Sequence, residues 1–241
     1  MGEQHIASAF DRDLETIQAL VMKMGGMVET AILDASHALE TGNEALAEEV
    51  RRKDTAIDAL ELKINEESAR LIALRAPTAT DLRIVLAVIK IASSLERAGD
   101  YAKNMAKRTQ ALGQLSASPV ISSAGASLRR MANTVTELLS DALDAYSARD
   151  LALAQDVRSR DREVDQMYNA LFREFLTHMM EDPRNITPCM HLHFIAKNVE
   201  RMGDHATAIA EQVVYLVTGE LPEDPRPKAE NVAGLDTPAA G

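Results

Sequence analysis

The phrase Glu96-Arg97-Ala98-Gly99-Asp100 returns as Glu200-Arg201-Met202-Gly203-Asp204, 104 positions further along the chain (200 less 96). A repeat at this distance makes the chain a tandem duplication in which each copy is a unit of supersecondary structure carrying the same acidic site. Upstream the offset is larger. Asp141 answers Asp34 and Asp161 answers Asp54 at 107 positions (161 less 54), so the first copy holds about three extra residues between its second and third helices.

The repeated segments have a helical period. Val21, Met24, Val28, Ala31, Ala35 and Ala38 in the first copy correspond to Leu128, Met131, Val135, Leu138, Ala142 and Ala145 in the second, an unbroken alternation of three and four. That spacing describes a core seam with a period near 3.5. Composition agrees, because the chain is 46% hydrophobic but only 3% aromatic, has no Trp, and is rich in the strong helix formers Ala, Leu, Glu and Met. Breaks fall at Gly42-Asn43 and its echo at Asp150, at Pro77 with Thr78 and Asp81, at Gly113 with Ser118 and Pro119, and at Pro183 with Thr187 and Pro188. They predict helices over roughly 10–41, 44–75, 79–112, 119–148, 151–181 and 188–217. The expected fold is all-α, two tandem three-helix bundles related by internal duplication, the first over 1–113 and the second over 119–217. From 218 to 241 the chain turns Pro-rich and acidic, and the expectation there is a disordered tail.

Charge narrows the function. A net charge of −11 with a pI near 5.0 and no basic stripe disfavours nucleic acid as a partner. The longest apolar run, Ile84 to Ile89, is too short to span a bilayer, and Met1 to Ile6 has no signal-like core, so the expected location is the cytoplasm, with the membrane reached only through partner proteins. The lone Cys189 rules out an internal disulfide and is expected to be a small buried residue.

The chemistry lies in four i, i+4 carboxylate pairs, each projecting from one face of a helix. They are Asp54 with Asp58 and Glu96 with Asp100 in the first copy, and Asp161 with Asp165 and Glu200 with Asp204 in the second. Each acid lies one or two positions beyond a seam residue, so the pairs are expected to flank the core. Where the second and third helices of a copy pack antiparallel, four like charges meet, and a multivalent cation preferring hard oxygen donors, such as iron(III), manganese or magnesium, relieves the repulsion. Asn104 would add a neutral oxygen in the first copy; its counterpart is Ala208, and His193 and His205 lie close enough in sequence to supply nitrogen in the second. Gly99 and Gly203 sit between the acids of both third-helix pairs. An interior glycine costs about 1 kcal/mol against Ala, which suggests close approach by an ion, a ligand or another helix. Arg97 and Arg201 suit either a local carboxylate or an external anion. Two other readings stand beside the metal site: a solvated acidic face on a metal-free helical adaptor, and a metalloenzyme of ferritin-like or phosphohydrolase type. The enzyme reading lacks its motifs, since the chain has no ExxH, P-loop, nucleophile elbow or HExxH, and the chain is not expected to act as an enzyme.

Taken together, the His5 to Leu14 segment HIASAFDRDL, the DTAID and DREVD pairs at Asp54 and Asp161, and the ERAGD and ERMGD phrases resemble the PhoU family over nearly the whole chain to about Thr218. The resemblance implies that Asp54, Asp58, Glu96, Asp100, Asp161, Asp165, Glu200 and Asp204 bind metal ions, as iron or zinc clusters or as magnesium or manganese. It implies a homodimeric negative regulator of phosphate uptake, linking the ATPase subunit of the Pst phosphate transporter to a PhoR-type sensor histidine kinase. Family members commonly carry Asn where this chain has Ala208.

Overall fold

The structure, a computed structural model, describes residues 2–115 and 119–222. Six long helices run in chain order: α1 (Gly2–Thr41), α2 (Glu44–Arg75), α3 (Ala79–Gly113), α4 (Pro119–Ala148), α5 (Leu151–Glu181) and α6 (Ile186–Thr218), with a 3₁₀ turn at Pro183–Asn185 before α6. Among the described residues there is no strand. The helices α1 to α3 form one bundle and α4 to α6 the other. The segment 116–118 and the tail beyond residue 222 lie outside the described residues, so the expectation of a disordered tail is untouched by the structure.

Local chemistry sets the helix ends. Asn43 accepts a hydrogen bond from the Leu46 amide, and Asp150 accepts two, from the amides of Ala152 and Leu153, so both expected N-caps are in place. The preceding helices end on left-handed residues at matched positions, Gly42 (φ 65°) and Arg149 (φ 53°). Only the first copy uses the residue that adopts this conformation without a Cβ penalty. At the last break the sequence placed the helix start two residues late. The helix α6 begins at Ile186, and Pro188 sits in its first turn, where a missing N–H costs no intrahelical bond. The first helix likewise starts earlier than the seam suggested, at Gly2.

The seam is the core. Val21, Met24, Val28, Ala35 and Ala38 are fully buried, as are Leu128, Met131, Val135, Leu138, Ala142 and Ala145. Ala31 is only half-buried, and Ile32 beside it takes the interior position. Cys189 is buried as expected, and burial pushes its thiol pKa up.

The two bundles do not stand apart. The helix α1 packs along α4 and α3 along α6, so that one continuous apolar core runs through both copies while α2 and α5 lie outermost. Small residues allow the approach: a methyl group on Gly125 would stand 3.2 Å from the backbone of Glu40, and one on Gly25 would run into Leu143. The α3–α6 contact is antiparallel and rich in rings and cations. Arg83 lies over Tyr215, Tyr101 stacks on His205, and Arg108 lies over Phe194.

Candidate metal centre

In each copy the acid pairs of the outer helix face those of the inner helix, α2 against α3 and α5 against α6. The expectation that all the acids merely flank the core needs correction, because Asp54 is 3% exposed, Asp161 4% and Glu200 8%. For the two aspartates, close packing of the inner helix on the outer one is the physical reason. A methyl group on Gly99 would meet Ile57 at 3.2 Å and Asp54 Oδ1 at 3.7 Å, and one on Gly203 would meet Asp161 Oδ1 and Val164, each at 3.4 Å. The backbone of the inner helix thus approaches the first acid of the outer helix closely enough to cover it. Asp58 stays exposed, and Glu96, Asp100, Asp165 and Asp204 are half-buried.

Electrostatics record the crowding. Burial raises the pKa of Asp54 above the ordinary carboxylate value, and the neighbouring charges of Asp58 and Asp100 push the same way against the lowering influence of Lys103. Glu96 is raised by burial and then by Asp100, Glu61 and Asp58; Glu200 is raised by burial, against Lys197, with Asp204 and Asp165 adding to the rise. The four predicted carboxylates of the first copy are therefore one electrostatic cluster, with Glu61 as a fifth member that the repeat did not single out. Its counterpart at the 107-residue offset is Tyr168, whose hydroxyl pKa is raised by burial and by Glu200.

A lysine serves as counter-ion in each copy. In the first, Lys103 Nζ lies 2.5 Å from Asp54 Oδ2 and 3.2 Å from Asp100 Oδ1, bridging α2 and α3. In the second, Lys197 Nζ lies 2.7 Å from Glu200 Oε2. These lysines are not equivalent by the repeat: Lys103 corresponds to Thr207, and Lys197 to Ser93. Their local pairing is legible as an i, i+3 spacing, but the reach of Lys103 to Asp54 is tertiary and has no sequence signal.

The other nominated donors make contacts of their own. His193 packs among Tyr168, Phe172 and Phe194, and burial together with Lys197 lowers its pKa; His205 stacks on Tyr101. Asn104 lines a cleft between α3 and α6. Arg201 lies over the Tyr101 ring. Among the described residues, no three His, Cys, Asp or Glu side chains converge as a ready metal cage. The donor type fits a hard cation, since crowded carboxylates with raised pKa values are stabilised by positive charge, but as the side chains stand an ammonium group occupies that role in each copy.

Residues 21–109 and 128–213 each match the PhoU domain. The chain belongs to the PhoU family. The matched spans begin 107 residues apart and end 104 apart, which reproduces the change of offset seen between the acid pairs. The chain is 44% identical over 235 residues to the phosphate-specific transport system accessory protein PhoU homolog of Rhizobium meliloti, covering 98% of both chains. It is 48% identical over 226 residues to the Zymomonas mobilis protein of the same description, covering 93% of both. Among solved structures it is similar to PhoU from Pseudomonas aeruginosa, with a TM-score of 0.83 and 38% identity over 88% of this chain and all of that one. It is also similar to the phosphate transport system regulatory protein PhoU from Streptococcus pneumoniae, with a TM-score of 0.80 and 30% identity over 89% of this chain and all of that one.

Proposed function

We propose that this PhoU-family chain is a cytoplasmic, non-enzymatic negative regulator of phosphate uptake and of the phosphate regulon. In this reading it is an adaptor between the ATPase subunit of a phosphate-specific transporter and a PhoR-type sensor histidine kinase, and it works as a homodimer. Family membership over nearly the full chain supports this role, and so does the absence of any membrane-crossing helix among the described residues, which leaves contact with the transporter to protein surfaces.

The carboxylate pairs are its cation sites. The observation that carries this is the burial of Asp54, Asp161 and Glu200 among further acids, an arrangement that is costly unless positive charge is supplied. Asp54, Asp58, Glu96 and Asp100 would hold metal ions in the first copy, and Asp161, Asp165, Glu200 and Asp204 in the second, as iron or zinc clusters or as magnesium or manganese. Bound metal supplies a multivalent positive charge in place of the single charge of a lysine. Swinging Lys103 or Lys197 outward would then change the surface beside α2 or α5, the two outermost helices.

A clean deletion tests the regulatory role. In a strain lacking any second copy of the gene, the phosphate-starvation response should become constitutive in rich phosphate, and the purified chain should bind the transporter ATPase or the kinase's cytoplasmic region. Normal repression in the deletion strain together with no binding to either partner would overturn the reading.

A further inference from the structure

A second, chemically opposite site lies on α3 beyond the carboxylates. A cleft of about 390 Å³ opens between α3 and α6, lined by Asn104, Lys107, Arg108 and Ala111 on one side and His191 and Asn198 on the other. Among the described residues it holds two fixed positive charges, two carboxamides and an imidazole, and no carboxylate, in a chain whose net charge is −11. His191 Nδ1 is shut off from solvent with no hydrogen-bond partner among the described residues. The Arg108 guanidinium rests 4.3 Å from the centre of the Phe194 ring, a contact that orients its plane and leaves its N–H edge to bond in plane.

The duplication supplies an internal control. Because α3 and α6 are equivalent copies packed antiparallel, the 104-residue offset generates a second position on the same interface. There Asn104, Lys107, Arg108 and Ala111 are answered by Ala208, Glu211, Gln212 and Tyr215, while His191 and Asn198 are answered by Ala87 and Ser94. All six positions differ, and one charge is reversed. Packing α3 on α6 therefore does not require the basic and amide residues, since the same interface is built without them at its other end.

We propose that this cleft binds a phosphate group. Lysine supplies a point charge, arginine a planar fork of donors and the carboxamides neutral N–H donors, a set that matches a tetrahedral oxyanion. The space is in the range of small-molecule pockets and accommodates either inorganic phosphate or the phosphate of a small monoester. The site is separate from the acid pairs, and its test is independent of the regulatory reading.

Titration calorimetry on the metal-free full chain, with inorganic phosphate and with adenosine 5′-monophosphate, is the direct experiment. Wild type should bind at least one of them saturably. Lys107→Glu, which installs the charge found at the pseudo-equivalent position, should weaken binding by about tenfold or more, corresponding to about 1.4 kcal/mol. Arg108→Gln should weaken it likewise, while Lys63→Glu, a charge reversal on exposed α2, should leave it unchanged. Lys107 is exposed, so its variant should keep the wild-type circular dichroism and melting temperature. Binding of phosphate alone assigns the cleft to the free ion, and binding of the nucleotide assigns it to an esterified phosphate. The proposal is overturned if wild type binds neither, if Lys107→Glu binds as wild type does, or if Lys63→Glu weakens binding equally.

Discussion

Replacing Lys103 by Met removes the ammonium that bridges Asp54 and Asp100 while keeping the apolar stem. Asp54 is almost fully buried, whereas the Lys103 side chain is 40% exposed, so the pair is screened from one side. Two unit charges 4 Å apart interact by about 4 kcal/mol at an effective dielectric of 20, which is an upper bound here because the partly exposed lysine is hydrated and Asp54 can take up a proton instead. A loss of about 1–2 kcal/mol at neutral pH follows. For a chain of this size that lowers the melting temperature by about 2–8 °C. The deficit should depend on pH. Removing Lys103 raises the native pKa of Asp54 further above its unfolded value, so the native state holds a proton that the unfolded state has released. The cost is then fully present above the native pKa and disappears as pH falls below the unfolded value of about 4. Metal should reverse the effect, because the variant has lost the internal competitor. Scanning calorimetry with and without saturating Mn²⁺ should show a lower melting temperature than wild type without metal and a larger rise with it. An unchanged melting temperature at pH 7 together with an unchanged response to metal would refute the counter-ion reasoning.

Other expectations follow from the same geometry. Asp54, Glu96 and Glu200 have pKa values raised by burial, so the metal-free native state binds more protons than the unfolded chain, and stability in urea should fall as pH rises from about 4 through those raised values; saturating divalent cation should remove the fall. Gly203→Ala meets its neighbours at ordinary contact distance and gains helix propensity, so it should stabilise the metal-free protein by up to about 1 kcal/mol, whereas Gly99→Ala, tighter against Ile57, should gain less or lose, as read by thermal unfolding. Arg149→Gly copies the Gly42 terminus of the first bundle and should raise stability by about 0.5–1 kcal/mol in denaturant titration, because the left-handed backbone there carries a Cβ penalty.

How much of this was legible in the sequence depended on whether the cause was local. The seam from Val21 to Ala38 and its copy from Leu128 to Ala145 report a periodicity that any helix must obey, and the caps at Asn43 and Asp150 are single-residue signals, so helix boundaries emerged within two residues except at the amino end of α1. The pairing of the two bundles was not legible. It uses a second face of α3 and α6, where Arg83, Tyr101 and Arg108 meet Tyr215, His205 and Phe194, residues that a single-seam reading leaves outside the core. For the acids, spacing put Asp54 and Asp58 on one helix but could not reveal that α3 packs over the first and leaves the second in water. Lys103 and Lys197 were missed because the repeat draws attention to what is duplicated, and these residues are not. His193 and His205 were nominated by proximity in sequence; spacing could not report their ring contacts, with Tyr168 and Phe172 of α5 and Phe194 of α6 for the first and with Tyr101 of α3 for the second.

The cation sites are tested most directly by the metal content of the full chain, purified without added metal or chelator. Elemental analysis should be compared between wild type, a first-copy variant carrying Glu96→Gln and Asp100→Asn, and a variant carrying these with Glu200→Gln and Asp204→Asn. These changes keep side-chain shape while removing charge. The account predicts tightly bound iron, zinc, manganese or magnesium in wild type, a partial loss in the first variant with the second copy spared, and near-complete loss in the double-site variant. Equal metal in all three proteins, or a wild-type protein that takes up none of these ions when they are supplied, would contradict it.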